Sequence, residues 1–446
     1  MAEMVAAAAA ILAVPAIPRA ETPRPAQAAT TVGHTTSAAT LESEVERIVR
    51  KARSAAEAIA APGGPGGPDA RQSTPATLAA ALTTATQGLT IDLAGMDPEA
   101  FPIVPVTQRA EGPPLLFADD PEYIRVPEAA VLRERLNPGV NRLYLYHCNG
   151  LTTAGGPLRR ITAVIRNLDP AAPMRLRMTR HAMAGPGMDY GLIARKVTEG
   201  FFANKPEPAA KARQVPAGGA APLDPDMEAA LVKPDQLISG WYEFETDKPS
   251  EVTVLQTDPE TSGVTAAARI ATLLPPRSRS GAGRGYYPYS GYQVAGQPGR
   301  AVDTADGPQM IWLADGKLDR WLTGFDSSSS QPQTLKGNYG VVYNTRLRRA
   351  STDGRWMAVM LWNARAKSGC KSLAAVAQAG PGAFPPGVVA LPSDAPVLRG
   401  AGSAALLQLL PPIPNAEPAN IELTYTPPGA SCLPTPILLV PFDMKR

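Results

Sequence analysis

His147, Cys148 and His181 are the residues whose types could bind a metal or support nucleophilic chemistry. A structural zinc site needs about four nitrogen or sulfur ligands, and His34 and Cys370 lie far away in the sequence. His147 and Cys148 are adjacent in a run that alternates like a β-strand, so their side chains should point to opposite faces. The sequence therefore predicts a buried histidine and a small apolar cysteine, with no metal and no cofactor.

Other catalytic sites have little support from the residue types. No G-x-S-x-G motif occurs, and a Ser-His-Asp triad would have to use His147 or His181. A glycosidase-like pair of carboxylates stays open, because spacing in the sequence says nothing about separation in the fold. The acids at predicted strand or loop edges are Asp189, Glu243, Asp315 and Asp326. We therefore expect an exported envelope or extracellular structural or binding protein without catalytic activity, and an extracellular carbohydrate-active or other hydrolytic enzyme is the alternative.

The segment Arg277–Arg300 concentrates four tyrosines and six glycines. This composition predicts a long exposed loop that builds no core, and long loops often carry function. Tyrosine rings can stack on sugars or bases, with an arginine nearby. A further alternative is therefore a carbohydrate-binding module in which this loop binds the ligand, whereas tyrosines that pack on the flank of a domain are the competing interpretation. The expected ligand-binding residues are Arg284, Tyr286, Tyr287, Tyr289 and Tyr292.

Six arginines lie mostly on the outward faces of adjacent predicted strands, namely Arg159, Arg160, Arg166, Arg175, Arg177 and Arg180. Such a stripe could contact anionic polysaccharide, lipid headgroups or nucleic acid, but a solvated sheet face is the usual explanation. The net charge of +3 indicates no polyanion partner. We expect no nucleic-acid partner, and polysaccharide or envelope components are the partners that fit.

The elements that must position these residues are predicted from hydrophobic spacing. Residue types alternate with a period of two in Arg142–Gly150, which predicts a strand with one face on a core and one face partly wet. Arg159–Asn167 and Met174–Arg180 alternate in the same way, so we expect an antiparallel meander. In the last run Leu176 should face inward and Arg175 outward.

Spacing and turn residues predict the remaining elements less directly. Arg71–Gly88 reads as weakly ordered, a short helix is expected from Pro127, and Leu192–Phe202 has helical spacing. Further strands are predicted at Leu89–Leu93, Leu237–Phe244, Glu251–Thr257, Asn338–Arg346, Trp356–Trp362, Leu406–Leu410, Ile421–Thr426 and Ile437–Val440.

The fold class predicted from these elements is mostly β. The 48 prolines among 446 residues disfavour a helical protein. We expect two antiparallel β-sandwich-like domains, with an N-terminal helix at Thr40–Ala61 on the flexible linker Pro62–Pro68. The predicted division is a signal peptide at 1–28, helix and Pro/Gly/Ala-rich linker at 29–118, a first sandwich at 119–275, an irregular Gly/Tyr-rich connecting segment at 276–335, and a second sandwich at 336–446.

The amino end predicts export. Val5–Ala16 has the length of a signal-peptide core, and Ala26-Gln27-Ala28 fits a cleavage site, although the usual basic residues are missing before the apolar run. No stretch approaches ~18 apolar residues, so we expect no membrane span. The expected location is extracellular or the cell envelope. Cys370 and Cys432 could pair, which would leave Cys148 free.

Seven segments together resemble a group of secreted bacterial β-sandwich proteins, some of which carry a copper-amine-oxidase-like stalk domain. The segments are DDPEYI at Asp119–Ile124, RLYLYHCNG at Arg142–Gly150, VPAGG at Val215–Gly219, ISGWYEF at Ile238–Phe244, TGFD at Thr323–Asp326, LKGNYGVVY at Leu335–Tyr343 and PPGASCLP at Pro427–Pro434. The resemblance runs from Asp119 to the C-terminus and implies a place outside the cell or in its envelope. It brings no catalytic residues. The relatives usually have an aliphatic residue at the position of Cys148, which argues against a catalytic thiol.

Overall fold

The structure is a computed structural model that describes residues 73–151, 156–205, 211–271, 273–276, 283–364, 373–413 and 419–444. The predicted signal peptide, the helix Thr40–Ala61, its linker and Cys370 lie outside these residues. The described helices are α1 (Ala76–Thr84), α2 (Tyr190–Ala203), α3 (Pro225–Ala229) and α4 (Gly263–Arg269), with 3₁₀ turns at Pro98–Ala100 and Thr304–Asp306. None of the described helices combines the length and the apolar character that crossing a bilayer requires.

Strands are much more abundant than helices in the described residues, which confirms the mostly-β prediction. They are β1 (Thr90–Asp92), β2 (Val106–Glu111), β3 (Leu115–Ala118), β4 (Tyr123–Ile124), β5 (Ala129–Leu136), β6 (Gly139–Asn149), β7 (Arg160–Asn167), β8 (Met174–Gly187), β9 (Arg213–Val215), β10 (Ala220–Pro222), β11 (Leu237–Thr246), β12 (Ser250–Thr257), β13 (Arg284–Tyr287), β14 (Gly291–Gly296), β15 (Val302–Asp303), β16 (Gln309–Ile311), β17 (Thr323–Asp326), β18 (Gln331–Thr334), β19 (Val342–Ala350), β20 (Trp356–Trp362), β21 (Ala375–Ala379), β22 (Gly387–Leu391), β23 (Ser403–Leu410), β24 (Ala419–Tyr425) and β25 (Ile437–Phe442).

The strands form four sheets. Sheet I has the order β18-β17-β13-β3-β6-β11-β8-β9, with β4 beside β6, and sheet II has the order β10-β7-β12-β5. Sheet III has the order β2-β14-β19-β24-β21-β22, with β15 beside β19, and sheet IV has the order β1-β23-β20-β25-β16. Most pairs are antiparallel, but β3 and β4 run parallel to β6, and β14 and β15 run parallel to β19.

Three apolar layers hold the sheets together in a sandwich-like arrangement. Sheets I and II pack face to face over a core that includes Leu145, Ile165 and Val254. A larger core joins the other face of sheet I to α2 and to sheets III and IV. A third core packs α1 on the outer face of sheet IV, where Leu78 and Trp362 are fully buried. Burial on this scale is the main favourable term in folding.

Strand β6 lies in the middle of sheet I and is buried on both faces. Leu143 belongs to the core shared with sheet II, and Tyr144 belongs to the core shared with α2 and sheet III. The expectation of one partly wet face is therefore wrong, because a second layer covers the face that the tyrosines occupy. Central strands covered on both sides lose the simple apolar–polar alternation.

The expected antiparallel meander is also wrong. The three predicted strands are present, but β6 pairs with β11, β7 pairs with β12, and β8 pairs with β11. Strand β7 belongs to sheet II, on the opposite side of the core from its neighbours in sequence. The orientation within β8 is confirmed, because Leu176 is 1% exposed while Arg175 is exposed.

The segment expected to be irregular, 276–335, contains six strands in its described part, β13 to β18. They extend sheets I, III and IV, so the description as an irregular connecting segment is wrong. The exposed-loop interpretation of Arg277–Arg300 is corrected for the same reason, although 277–282 lie outside the described residues. A strand, β5, replaces the short helix expected from Pro127, and α1 replaces the weakly ordered stretch before Gly88.

Candidate functional site

The residues predicted to bind a ligand do not share one surface. Arg284 and Tyr286 lie on one face of β13 and Tyr287 lies on the other, while Tyr292 belongs to β14 in a different sheet. Arg284, Tyr287 and Tyr292 are buried, and Tyr286 and Tyr289 are partly exposed.

Local contacts account for two of these buried side chains, Tyr292 and Arg284. The ring of Tyr292 stacks on that of Tyr343, with centroids 5.7 Å apart, and contacts Tyr289 edge-on at 5.5 Å. Arg284 forms a buried ion pair with Asp326, in which Nε lies 3.0 Å from Oδ2. Its Nη1 also donates to the carbonyl oxygen of Asp120 at 3.2 Å.

The four acids proposed as catalytic carboxylates have structural partners. Asp189 caps α2 by accepting from the backbone N–H of Leu192, and Asp315 accepts from the N–H groups of its own turn. Glu243 lies 2.7 Å from Arg142 and 3.4 Å from Arg180. Asp326 pairs with Arg284, and these acids are therefore occupied in holding the fold.

Most arginines of the predicted basic stripe are paired as well. Arg160 pairs with Glu228 at 3.1 Å, Arg180 with Glu243, and Arg159 and Arg177 form short ion pairs with Asp258 and Glu245. Arg166 and Arg175 are exposed. The pairing leaves no continuous row of unpaired arginines along these described strands.

His147 and Cys148 point to opposite faces of β6, as expected. His147 is buried, and its Nδ1 lies 3.0 Å from the carbonyl oxygen of Pro121. Burial lowers the pKa of His147 to about 4, so the imidazole is neutral. Across the ranges that the structure describes, no group of three or more His, Cys, Asp or Glu residues is placed to hold a metal ion.

A different set of residues converges from distant parts of the chain. It consists of two carboxylates, five tyrosines and one thiol, and we call it the Asp119 cluster: Asp119, Glu122, Tyr123, Tyr144, Tyr146, Cys148, Tyr190 and Tyr339. Three of the segments on which the expected resemblance rests contribute side chains to it. A fourth, Pro427–Pro434, closes over its inner side.

The end of β3 brings the carboxylates to β6. After Ala118 the chain turns and pairs again as β4, which places Tyr123 opposite Cys148 in parallel register. The backbone N–H of Cys148 donates to the carbonyl oxygen of Glu122 at 2.7 Å. Because side chains alternate along a strand, Tyr144, Tyr146 and Cys148 share the face of β6 that this segment borders.

Helix α2 supplies the outer tyrosine. Its cap, Asp189, fixes the first turn and so places Tyr190 beside the Cys148 thiol. The Tyr190 hydroxyl donates to the carbonyl oxygen of Asp235 at 2.5 Å, which leaves the Tyr123 hydroxyl, at 2.9 Å, to donate to Tyr190. Both rings are partly exposed, so they form the solvent side of the cluster.

The inner side is closed by the segment around Gly429. The backbone N–H of Gly429 donates to the Tyr144 hydroxyl at 3.1 Å, and a Cβ on residue 429 would lie 2.8 Å from the Tyr146 ring. Only glycine allows so close an approach of backbone to ring. The Tyr339 hydroxyl donates to the carbonyl oxygen of Ser431 at 3.3 Å, which holds a partly exposed ring above the cluster.

Burial sets the protonation states of the cluster. The pKa of Asp119 is raised well above its ordinary value, first by desolvation and then by the negative charges of Glu122 and Asp120. Desolvation also raises the pKa of Cys148 to about 12, so the sulfur stays a thiol. The Asp119 residue is partly exposed as a whole, but its Oδ1 is buried and has no hydrogen-bond partner.

Apart from Cys148, which it considered and rejected, the sequence interpretation named none of these residues as a candidate, because they lie in four separate stretches. No protein-family model and no curated protein matches the chain. Among solved structures, a variant of oxalate decarboxylase from B. subtilis is similar over 80% of this chain and 78% of that chain, at 8% identity and a TM-score of 0.12. A likeness this weak carries no argument, and the chain's own geometry has to support any function.

Proposed function

We propose that this chain is an exported binding protein without catalytic activity, and that it binds saccharides of the cell envelope or extracellular matrix through the Asp119 cluster. The observation that carries the proposal is the convergence of partly exposed tyrosine rings and carboxylates from separate segments. Tyr123, Tyr190 and Tyr339 offer flat surfaces for the apolar faces of sugar rings. Asp119 and Glu122 offer acceptors for sugar hydroxyl groups.

The chemistry of the cluster favours binding over catalysis. A nucleophilic cysteine needs a lowered pKa or an adjacent base. Burial raises the pKa of Cys148 instead, and the neighbouring imidazole, His147, lies on the opposite face of β6 with its Nδ1 held by a carbonyl oxygen. The tyrosines also have raised pKa values, so they act as neutral hydroxyl groups and aromatic surfaces.

Export is supported by the apolar run Val5–Ala16 and by the state of Cys432. Cys432 is disulfide-bonded, while Cys148 is free and buried. Disulfides persist mainly in extracellular, periplasmic and other oxidising compartments. N-terminal sequencing of the mature protein from its native host should find the first residue near position 29, and a mature chain that begins at Met1 in the cytosol would contradict export.

A glycan array with the purified full-length chain tests the ligand class. Tyr123→Ala should weaken the retention of bound glycans by about 5- to 150-fold, the equivalent of ~1–3 kcal/mol for one stacking contact as measured on nucleic-acid binders. Tyr286→Ala is the matched control, because Tyr286 is also a partly exposed tyrosine but lies outside the cluster.

Each outcome of the array decides between the alternatives. Loss of binding in Tyr286→Ala alone would move the site to the tyrosine-rich segment of the carbohydrate-binding-module alternative. No retained glycan would overturn the saccharide proposal. Release of cleaved sugar from a retained glycan would establish the hydrolytic alternative in place of a binding protein.

A further inference from the structure

Asp119 places an unsatisfied acceptor inside the cluster. Its Oδ1 is buried and accepts no hydrogen bond from any described residue. Among the described residues, no lysine, arginine or histidine forms an ion pair with this carboxylate. Buried carboxylates are normally paired or hydrogen-bonded, because an isolated buried charge is strongly unfavourable.

The surroundings of Asp119 suit a positive charge. Tyr144, Tyr146 and Tyr339 all lie close enough for the Asp119 charge to affect their hydroxyl groups. Aromatic rings attract cations through their electron-rich faces. Glu122 adds further negative potential. Arg125 lies over the ring of Tyr123, 5.2 Å from its centroid, and so already makes a cation–π contact at the edge of the cluster.

We propose that the saccharide bound by the Asp119 cluster carries a free amino group, and that its ammonium donates a hydrogen bond to the Asp119 carboxylate, whose Oδ1 has no partner among the described residues. This inference rests on the proposed function, because it names the class of sugar that the same site takes. A primary ammonium offers three donors and a compact charge, and a hydrogen bond between two charged groups is roughly twice as strong as a neutral one.

The inference has a clear competitor. A raised pKa means that Asp119 can hold a proton when the site is empty. A protonated Asp119 would donate to a neutral acceptor such as an acetamido oxygen, and would then favour N-acetylated sugars. An ammonium ligand favours the ionised carboxylate instead, and so lowers the pKa of Asp119 on binding. The ionised carboxylate therefore selects the sugar with a free amino group, and the protonated carboxyl selects the N-acetylated sugar.

Isothermal titration calorimetry of the full-length chain with two probes distinguishes a site for amino sugars from a site for N-acetylated sugars. The probes are a β-1,4-linked glucosamine tetramer and its fully N-acetylated counterpart, at a pH where the sugar amine is protonated. We expect the amino tetramer to bind at least about tenfold more tightly, as one charge-assisted hydrogen bond allows. Asp119→Asn should bring the ratio of the two affinities close to one, and Asp443→Asn, which removes one exposed negative charge elsewhere, should leave it unchanged.

The results separate this inference from the proposed function. Equal affinities, or preference for the N-acetylated tetramer, would overturn the amino-sugar inference while saccharide binding stands. An unchanged ratio in a folded Asp119→Asn variant would also overturn it. A chain that retains no saccharide on the array and neither tetramer would overturn the proposed function itself. The wild-type ratio decides the inference even if the variant fails to fold.

Discussion

The side chains of Arg284 and Asp326 form an ion pair that is almost completely buried, with each side chain about 1% exposed. The same guanidinium donates to the carbonyl oxygens of Leu274, at 2.7 Å, and Asp120. Because Asp120 follows Asp119 directly, the ion pair positions the segment that carries the unsatisfied carboxylate. Arg284 thus contributes to the candidate site through its contacts with the backbone, whereas the sequence predicted a direct contact with ligand.

Removing the Arg284 side chain should strongly destabilise the folded protein. Arg284→Ala leaves Asp326 as a buried charge without its partner, so we expect the free energy of unfolding to fall by about 3–5 kcal/mol. Arg300→Ala removes an exposed arginine nearby in sequence and should change the free energy of unfolding by about 0.5 kcal/mol or less. Urea unfolding measures both values. Equal losses in the two variants would mean that the ion pair is not buried in solution.

Strand β8 gives a direct test of the register. Leu176→Asp places a charge in the core between sheets I and II and should cost several kcal/mol of unfolding free energy. Arg175→Asp alters an exposed side chain on the same strand and should be mild. Thermal melts compare them, and a shift of similar size in both variants would show that the faces of β8 are assigned wrongly.

Two buried tyrosines should respond differently to loss of the hydroxyl group. The Tyr343 hydroxyl donates to Asp319 at 2.5 Å and accepts from Asn338 at 2.7 Å, whereas the Tyr287 hydroxyl is buried without a partner among the described residues. Tyr343→Phe should therefore cost about 1–3 kcal/mol of unfolding free energy, while Tyr287→Phe should be neutral or slightly stabilising. Chemical denaturation of both variants measures the difference, and the reverse order would contradict these contacts.

Asp319 should make stability depend on pH. Burial is the largest cause of a pKa raised from 3.8 to about 6. The folded state then holds the proton more tightly than the unfolded state, so this carboxyl favours folding most at a pH below about 4, and its contribution falls as the pH rises to about 6. The shift corresponds to about 3 kcal/mol.

Asp319→Asn should remove this part of the pH dependence. The amide oxygen can still accept from Tyr343 and the Ala314 N–H, and its NH₂ can donate to Gln108 if the Gln108 amide turns over. Unfolding free energies at pH 4 and pH 6.5 measure the change, with exposed Asp443→Asn as the control. A pH dependence identical to that of the unchanged protein would contradict the assignment.

The sequence predicted strands well where local residue patterns decide them. Trp356–Trp362 is β20, and Leu192–Phe202 lies within α2. Local patterns could not predict which strands pair, because pairing depends on partners far away in the chain. Strands β14 and β19 show this most clearly, because they pair in parallel although about fifty residues of sequence separate the paired positions.

The tyrosine-rich segment shows why composition alone misled. Its glycines suggested a loop, but Gly285, with a φ of +123°, lets β13 approach the backbone of Phe325 at a distance that a side chain would not allow. Two of its tyrosines, Tyr287 and Tyr292, then fill core positions. A signal was present, because a run of tyrosines near valine has high β propensity.

The candidate site was outside the reach of sequence reasoning for a geometric reason. Asp119, Tyr190 and Tyr339 come together only when β3, α2 and the turn before β19 meet on one side of sheet I. No spacing within one stretch indicates such a meeting. Two of the segments on which the expected resemblance rests, Asp119–Ile124 and Arg142–Gly150, contribute most of the cluster.

Sheet IV also determines when folding of the chain can be completed. Its strand β1, at residues 90–92, pairs with β23, and β25, at residues 437–442, lies between β20 and β16. The sheet cannot close until β25 has been synthesised, and pairing between such distant segments is intrinsically slow. The strands of sheet II, at residues 129–257, are all synthesised well before β25, so sheet IV and the helix α1 packed on it should be the last part of a newly made chain to become ordered.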